Sequence, residues 1–167
     1  MKVALGRRGD YAVRAMINVA RHSPNRRKAR QIVAEMDLPD RYATQILGTL
    51  VNSGLLAAQA GPDGGYTLGR PADEISLLEV VELIEGPVTL DQCTLRDGPC
   101  DWVASCPVHE AWAAAQTAFT DRLRQTMFAD LAAADAAIKT ADRHDEAPHR
   151  IPTERRGVRL NRDHPPE

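Results

Sequence analysis

Residues 43–68, ATQILGTLVNSGLLAAQAGPDGGYTL, hold two periodicities in succession. Ala43, Ile46, Leu47 and Leu50 recur at 0, 3, 4, 7, the spacing of a helix with one apolar face, and Ser53-Gly54 stops it where glycine takes the left-handed C-terminal conformation. Leu55-Leu56-Ala57-Ala58 and Tyr66-Thr67-Leu68 then form short extended segments around the turn formers Gly61-Pro62-Asp63-Gly64-Gly65. A helix running straight into a β-hairpin is the result.

On the N-terminal side, Ala12, Ala15, Met16 and Val19 repeat the helical spacing and predict a helix over roughly residues 8–21. After the Ser23-Pro24-Asn25 break and the basic run Arg26-Arg27-Lys28-Ala29-Arg30, Ile32, Val33 and Met36 mark a short second helix ending near Asp37. Leu38-Pro39-Asp40 connects it to the third. Three short helices and a hairpin predict a winged helix-turn-helix.

On the C-terminal side, Ser76-Leu77-Leu78-Glu79 has the form of a capping box opening a helix with Leu77, Val80, Val81 and Ile84 on its buried stripe, ended by Gly86-Pro87. Residues 88–107 show little periodicity. From about Val108 to Ile138, Trp112, Ala115, Phe119, Leu123, Met127 and Leu131 recur at spacings of 3 or 4 and predict one long helix. Such a helix needs a surface to lie on, and the same helix of a second chain is preferred to the chain's own domain. The expected fold class is mainly α: a winged helix-turn-helix with a small hairpin wing over 1–74, a helix, cysteine loop and long dimerisation helix over 75–138, and a disordered polar tail over 139–167. His144, His149 and His164 in that tail read as solvated.

The 167 residues include 21 basic and 23 acidic side chains, but the charge is unevenly spread. Residues 1–70 carry a net +6, residues 71–138 a net −9 and residues 139–167 a net +1. A basic module joined to an acidic one points to a polyanionic partner for the first. No apolar run approaches the ~18 residues of a membrane span. The start MKVALGRRGDY breaks into charge too early for a signal sequence, so a cytoplasmic protein with no membrane partner is expected.

In a winged helix-turn-helix the third helix shows its outward residues to base edges, here Arg41, Thr44, Gln45, Gly48 and Asn52 at 0, 3, 4, 7, 11. Arginine pairs bidentately with guanine, and glutamine or asparagine with adenine. Phosphate contacts are expected from Arg26, Arg27, Lys28 and Arg30 near the positive end of the second helix, with Lys2, Arg7 and Arg8 as further candidates. Double-stranded DNA is the expected partner.

Cys93, Cys100 and Cys106 lie within fourteen residues, an odd number with no secretory signal, so structural disulfides are not expected. The spacing Cys93-x6-Cys100-x5-Cys106-x2-His109 offers three thiolates and an imidazole, suited to zinc or to an iron-sulfur cluster. The wide intervals and Gly98-Pro99 point to something larger than one ion, and unligated thiols are a third possibility. No convergent acid, base and nucleophile set is visible, and Asp91, Asp97 and Asp101 read as a solvated acidic loop, so an enzyme is not expected.

Taken together, Gly9-Asp10-Tyr11-Ala12-Val13-Arg14-Ala15-Met16, the Gly61-Pro62-Asp63-Gly64-Gly65-Tyr66 wing, the Ser76 helix, the three-cysteine loop and the helix after it resemble the IscR/NsrR/RirA-type winged-helix iron-sulfur transcriptional regulators of bacteria. The resemblance covers about residues 1–138. It implies a homodimer with crossed long helices, a near-palindromic DNA operator, and a cluster that senses nitric oxide, oxygen, redox state or iron supply. Cys93, Cys100 and Cys106 resemble the cysteine ligands. His109 matches a histidine ligand of a 2Fe-2S cluster, and Asp10 matches a carboxylate given by the partner subunit to a 4Fe-4S cluster; the four-iron form is preferred. Two departures stand out. The first cysteine interval is longer than in the best-known members, and Ala60 replaces a wing arginine that enters the minor groove, leaving Gln59 as a partial substitute. A cofactor-free regulator with reactive thiols is the alternative, and an iron-sulfur carrier a more distant one.

Overall fold

The computed structural model describes residues 4–88 and 106–142. The apolar stripe at the N-terminus becomes α1 (Arg7–His22), whose Ala12, Ala15, Met16 and Val19 are fully buried. A cis Ser23–Pro24 bond leads into α2 (Ala29–Met36), which buries Ile32 and ends at Asp37 in the left-handed region, φ 51°. Aspartate is among the few non-glycine residues that tolerate that conformation. α3 (Asp40–Asn52) follows, burying Ala43, Ile46, Leu47 and Leu50 as the spacing predicts.

β1 (Leu56–Gln59) and β2 (Gly65–Leu68) form the antiparallel wing, in register from Leu56 opposite Leu68 to Gln59 opposite Gly65. The wing is anchored to the helices. Arg27 N–H donates to the Tyr66 carbonyl at 2.9 Å and Tyr66 N–H to the Arg27 carbonyl at 2.8 Å, a single antiparallel bridge that ties the segment before α2 to β2. Gly65 permits this approach, because a Cβ there would lie 2.7 Å from the Arg27 carbonyl oxygen.

After a 3-10 turn at Ala72–Glu74, α4 (Leu77–Glu85) starts at Ser76, whose Oγ accepts from Glu79 N–H at 3.2 Å. Only half of the predicted capping box forms, because the Glu79 carboxylate pairs with Arg70 instead of turning back. Leu78, Val80 and Val81 are buried, while Leu77 and Ile84 pack half-buried against the core.

The predicted single helix over 108–138 is two: α5 (His109–Gln125) and α6 (Phe128–Asp142). Thr126 and Met127 turn extended and pair with the strand-like residues before α4. Leu77 N–H donates to the Thr126 carbonyl at 2.8 Å, and Phe128 N–H to the Ile75 carbonyl at 2.9 Å. The break lets α6 fold back on α1, with Phe128 fully buried and Ala132 nearly so. α5 packs beside α4 and has no buried residue; Val108 and Phe119 remain 38% exposed. One continuous core draws Met16, Ile46, Leu55, Ile75, Val80 and Phe128 together. No helix among the described residues is long and apolar enough to cross a membrane.

Phe128 is the largest fully buried side chain among the described residues, and truncation leaves a void that close-packed neighbours fill only partly. Phe128→Ala is expected to lower unfolding free energy by about 3–5 kcal/mol in a urea titration; a loss below about 1 kcal/mol would contradict the docking of α6 on α1.

Candidate nucleic-acid interface and cysteine-loop root

On α3, Arg41, Thr44, Gln45 and Asn52 are exposed and Gly48 half-exposed, opposite the buried stripe. Arg41 lies with its guanidinium 4.5 Å from the centre of the Tyr42 ring, a cation–π contact that orients it along the helix start. Gln59 ends β1 on the exposed wing, next to Ala60.

The basic run divides. Arg26 and Arg30 are exposed, as are Arg7 and Arg8 in the first turn of α1. Lys2 lies outside the described residues. Arg27 is turned inward with its side chain 11% exposed, pairing with Glu35 and donating from Nε to Asn18 Oδ1 at 3.3 Å. Lys28 donates from Nζ to the Pro62 carbonyl at the wing tip.

Asn18, fully buried in α1, fixes this arrangement, since its other amide end donates to Glu35 Oε2 at 2.9 Å. Arg21 joins Glu35 to Asp135 of α6, so one ionic cluster spans α1, α2 and α6. His22 Nδ1 donates to the Asn18 carbonyl at 2.8 Å, and its Nε2 stands 3.9 Å from Glu35. Around this cluster, Arg21, His22, Glu35 and Lys139 line a groove of about 530 Å³. Periodicity could not reveal Asn18 or Glu35 as a junction; the one signal was an amide inside an otherwise apolar helix face.

Burial alone would raise the Glu35 pKa, but the Asn18 hydrogen bond, the charge and hydrogen bond of Arg27, and the charge of His22 together hold it below the ordinary carboxylate value. With a depressed folded pKa, the stabilisation is complete above the unfolded value and is lost as pH falls through the folded one. Glu35→Gln should therefore flatten the acid limb of a pH series of thermal unfolding midpoints. An acid limb as steep as the native one would contradict the assignment.

The root of the cysteine loop meets α1. Glu85, the last residue of α4, accepts the Gly9 N–H at 2.8 Å, a carboxylate capping the positive end of a helix. A Cβ on Gly9 would lie 2.5 Å from that oxygen and one on Gly6 2.7 Å, so the two glycines make the cradle. Beyond Glu85, Val88 N–H returns to Glu82 Oε1 at 3.2 Å. Asp10 follows Gly9 and is held by Arg14 through both oxygens, Nε to Oδ1 at 3.0 Å and Nη2 to Oδ2 at 2.7 Å.

Cys106 is a half-buried free thiol just before α5, and His109 N–H donates to its carbonyl at 3.2 Å. Cys93 and Cys100 lie outside the described residues, as does the part of the predicted 139–167 tail from residue 143 onward; residues 139–142 are not disordered but continue α6 to Asp142. Cysteine sulfur and histidine imidazole three residues apart are donor types that an iron-sulfur cluster takes.

The family model of Rrf2, described as an iron-dependent transcriptional regulator, matches residues 5–134. The HTH-type transcriptional regulator IscR of Pectobacterium carotovorum is 32% identical over 139 residues, spanning 83% of this chain and 84% of that protein. IscR of Vibrio vulnificus is 31% identical over 144 residues, spanning 83% and 82%. Among solved structures, CymR, the global cysteine regulator of B. subtilis, superposes with a TM-score of 0.67 at 25% identity over 79% of this chain and 98% of that one. IscR of T. potens shares the fold with a TM-score of 0.61 at 20% identity, over 89% and 95%. The chain belongs to the Rrf2 family of transcriptional regulators, and it is similar to the IscR members among them.

Proposed function

We propose that the chain works as a homodimer on a near-palindromic operator, with its affinity set by an iron-sulfur cluster in the cysteine loop. The observation that carries the DNA-binding part is the division of α3: an apolar stripe sealed in the core and Arg41, Thr44, Gln45 and Asn52 left facing solvent. Arg41 reads guanine, Gln45 and Asn52 read adenine, and Thr44 serves either. Arg26 and Arg30 hold phosphates, Arg27 stiffens the segment from behind, and Gln59 supplies the minor-groove contact.

The second copy is supported by α5, a 17-residue helix with no buried residue that presents Trp112, Phe119 and Leu123 along one side.

Cys93, Cys100 and Cys106 supply three thiolates to the cluster, and the family's description as iron-dependent supports iron over zinc. For the fourth position, Asp10 of the partner subunit would serve a four-iron cluster and His109 a two-iron one. Asp10 must first leave Arg14, which holds both its oxygens, whereas His109 sits one turn beyond Cys106 on the same chain. That contrast supports His109. When bound, such a cluster supplies iron that reacts with nitric oxide or oxidant. The chain's own part is mechanical: tension on Gly86–Val88 reaches Glu85, and through Gly9 the first turn of α1, which packs against both α2 and α3. Ligation thereby biases the dimer between operator-matched and mismatched geometries.

A cofactor-free thiol switch is the second reading, favoured by the likeness to CymR, of which an oxidised form is known from Staphylococcus aureus. Anaerobic isolation separates the two. A brown protein with iron, sulfide and a Mössbauer doublet, altered by His109→Ala and not by Asp10→Ala, is expected; colourless protein with three titratable thiols, even after reconstitution, would leave only the switch.

A further inference from the structure

The hairpin that would lie along the duplex brings no cation of its own. Residues 55–68 contain no lysine or arginine and one carboxylate, Asp63 at the tip. Such a wing repels a phosphate backbone.

A cation reaches the tip from another element. Lys28, the residue before α2, extends its ammonium across to the Pro62 carbonyl and donates to it at 2.7 Å. Both ends of this link are stiff. The Lys28 N–H is accepted by Gln31 Oε1 at 2.8 Å, and the neighbouring Arg27 is paired through its main chain with Tyr66 of β2. At the tip, Gly64 N–H donates to the Gly61 carbonyl at 3.0 Å, closing a turn so tight that a Cβ on Gly64 would lie 2.2 Å from the Gln59 carbonyl oxygen. An ammonium has three N–H donors and no acceptor. One is spent on Pro62, and two remain for a phosphate oxygen at a tip whose one charged side chain is the Asp63 carboxylate.

We propose, resting on the DNA-binding function above, that Lys28 is the wing's cation. It latches the tip to the N-terminus of α2, and it makes the wing's phosphate contact from outside the hairpin. Lys28 thereby fixes where the wing meets the duplex relative to α3, and it differs in role from Arg26 and Arg30 of the same basic run.

Two measurements on the intact protein test this. In the free protein, Lys28→Met should speed amide exchange at Gly64 several-fold, with Lys28→Gln behaving alike; unchanged exchange in both would overturn the latch, whatever happens with DNA. For binding, the probe is a fluorescein-labelled duplex selected by the native protein from a random-sequence pool. Lys28→Met should make the slope of log affinity against log salt shallower by about one per bound protomer. It should also remove hydroxyl-radical protection under the wings while sparing that opposite α3, and adding Ala60→Lys should restore the slope. An unchanged slope and footprint, or no restoration by Ala60→Lys, would overturn the wing cation. Native protein that selects no duplex would refute the DNA-binding function and the wing contact with it, leaving the exchange result to decide the latch alone.

Discussion

The molecule depends on one closely approached helix surface, the Ala12, Ala15, Met16 and Val19 stripe of α1. Fully buried, it lies on the helix that packs against α2, α3, α4 and α6, at the density that protein interiors require. The polar ends of α1 are used as well. Glu85 caps its first turn, and Arg21 near its last turn binds Glu35 and Asp135. The elements that would read DNA and the elements that flank the cysteine loop therefore take their positions from the same sixteen residues.

The same economy narrows the electrostatics. The eleven basic residues of 1–70 are not all offered to a polyanion, because Arg14, Arg21 and Arg27 are paired with the carboxylates of Asp10 and Glu35. Among the described residues of this segment, the exposed cations are Arg7, Arg8, Arg26, Arg30 and Arg41, with Lys28 reaching the wing. Arg27 instead ties α2 to α1 through Glu35 and Asn18, and to the wing through its main-chain bonds with Tyr66, so its pairing positions the cations that face outward.

Local periodicity made α1, α2, α3 and the wing legible in the sequence, because each buries one face and each boundary falls at a residue with its own conformational preference, such as Asp37 or Gly54. The break at Thr126–Met127 was not legible. The apolar stripe continues in phase across it, and the cause is a main-chain pairing with Ile75 and Leu77 about fifty residues away in sequence. Arg27 and Lys28 read as equivalent to Arg26 and Arg30 for a related reason: their partners, Asn18, Glu35 and Pro62, are set by tertiary packing. The Glu85–Gly9 link, 76 residues apart, leaves no trace in spacing, although the unusual Gly6 and Gly9 at a helix start were its visible counterpart. At the cysteine loop, Cys106 lies just before α5 and His109 begins it, as the helical propensity from about Val108 onward predicts, while Cys93 and Cys100 lie outside the described residues.

If ligation at the loop is transmitted through Glu85 and α1 to α3, operator affinity must depend on whether the cluster is present. The most direct measurement compares cluster-loaded and cluster-free protein, both prepared anaerobically as dimers, in titrations of one selected duplex at fixed salt. A difference of at least about tenfold, equivalent to about 1.4 kcal/mol, is predicted. Equal affinity for the two forms would contradict it.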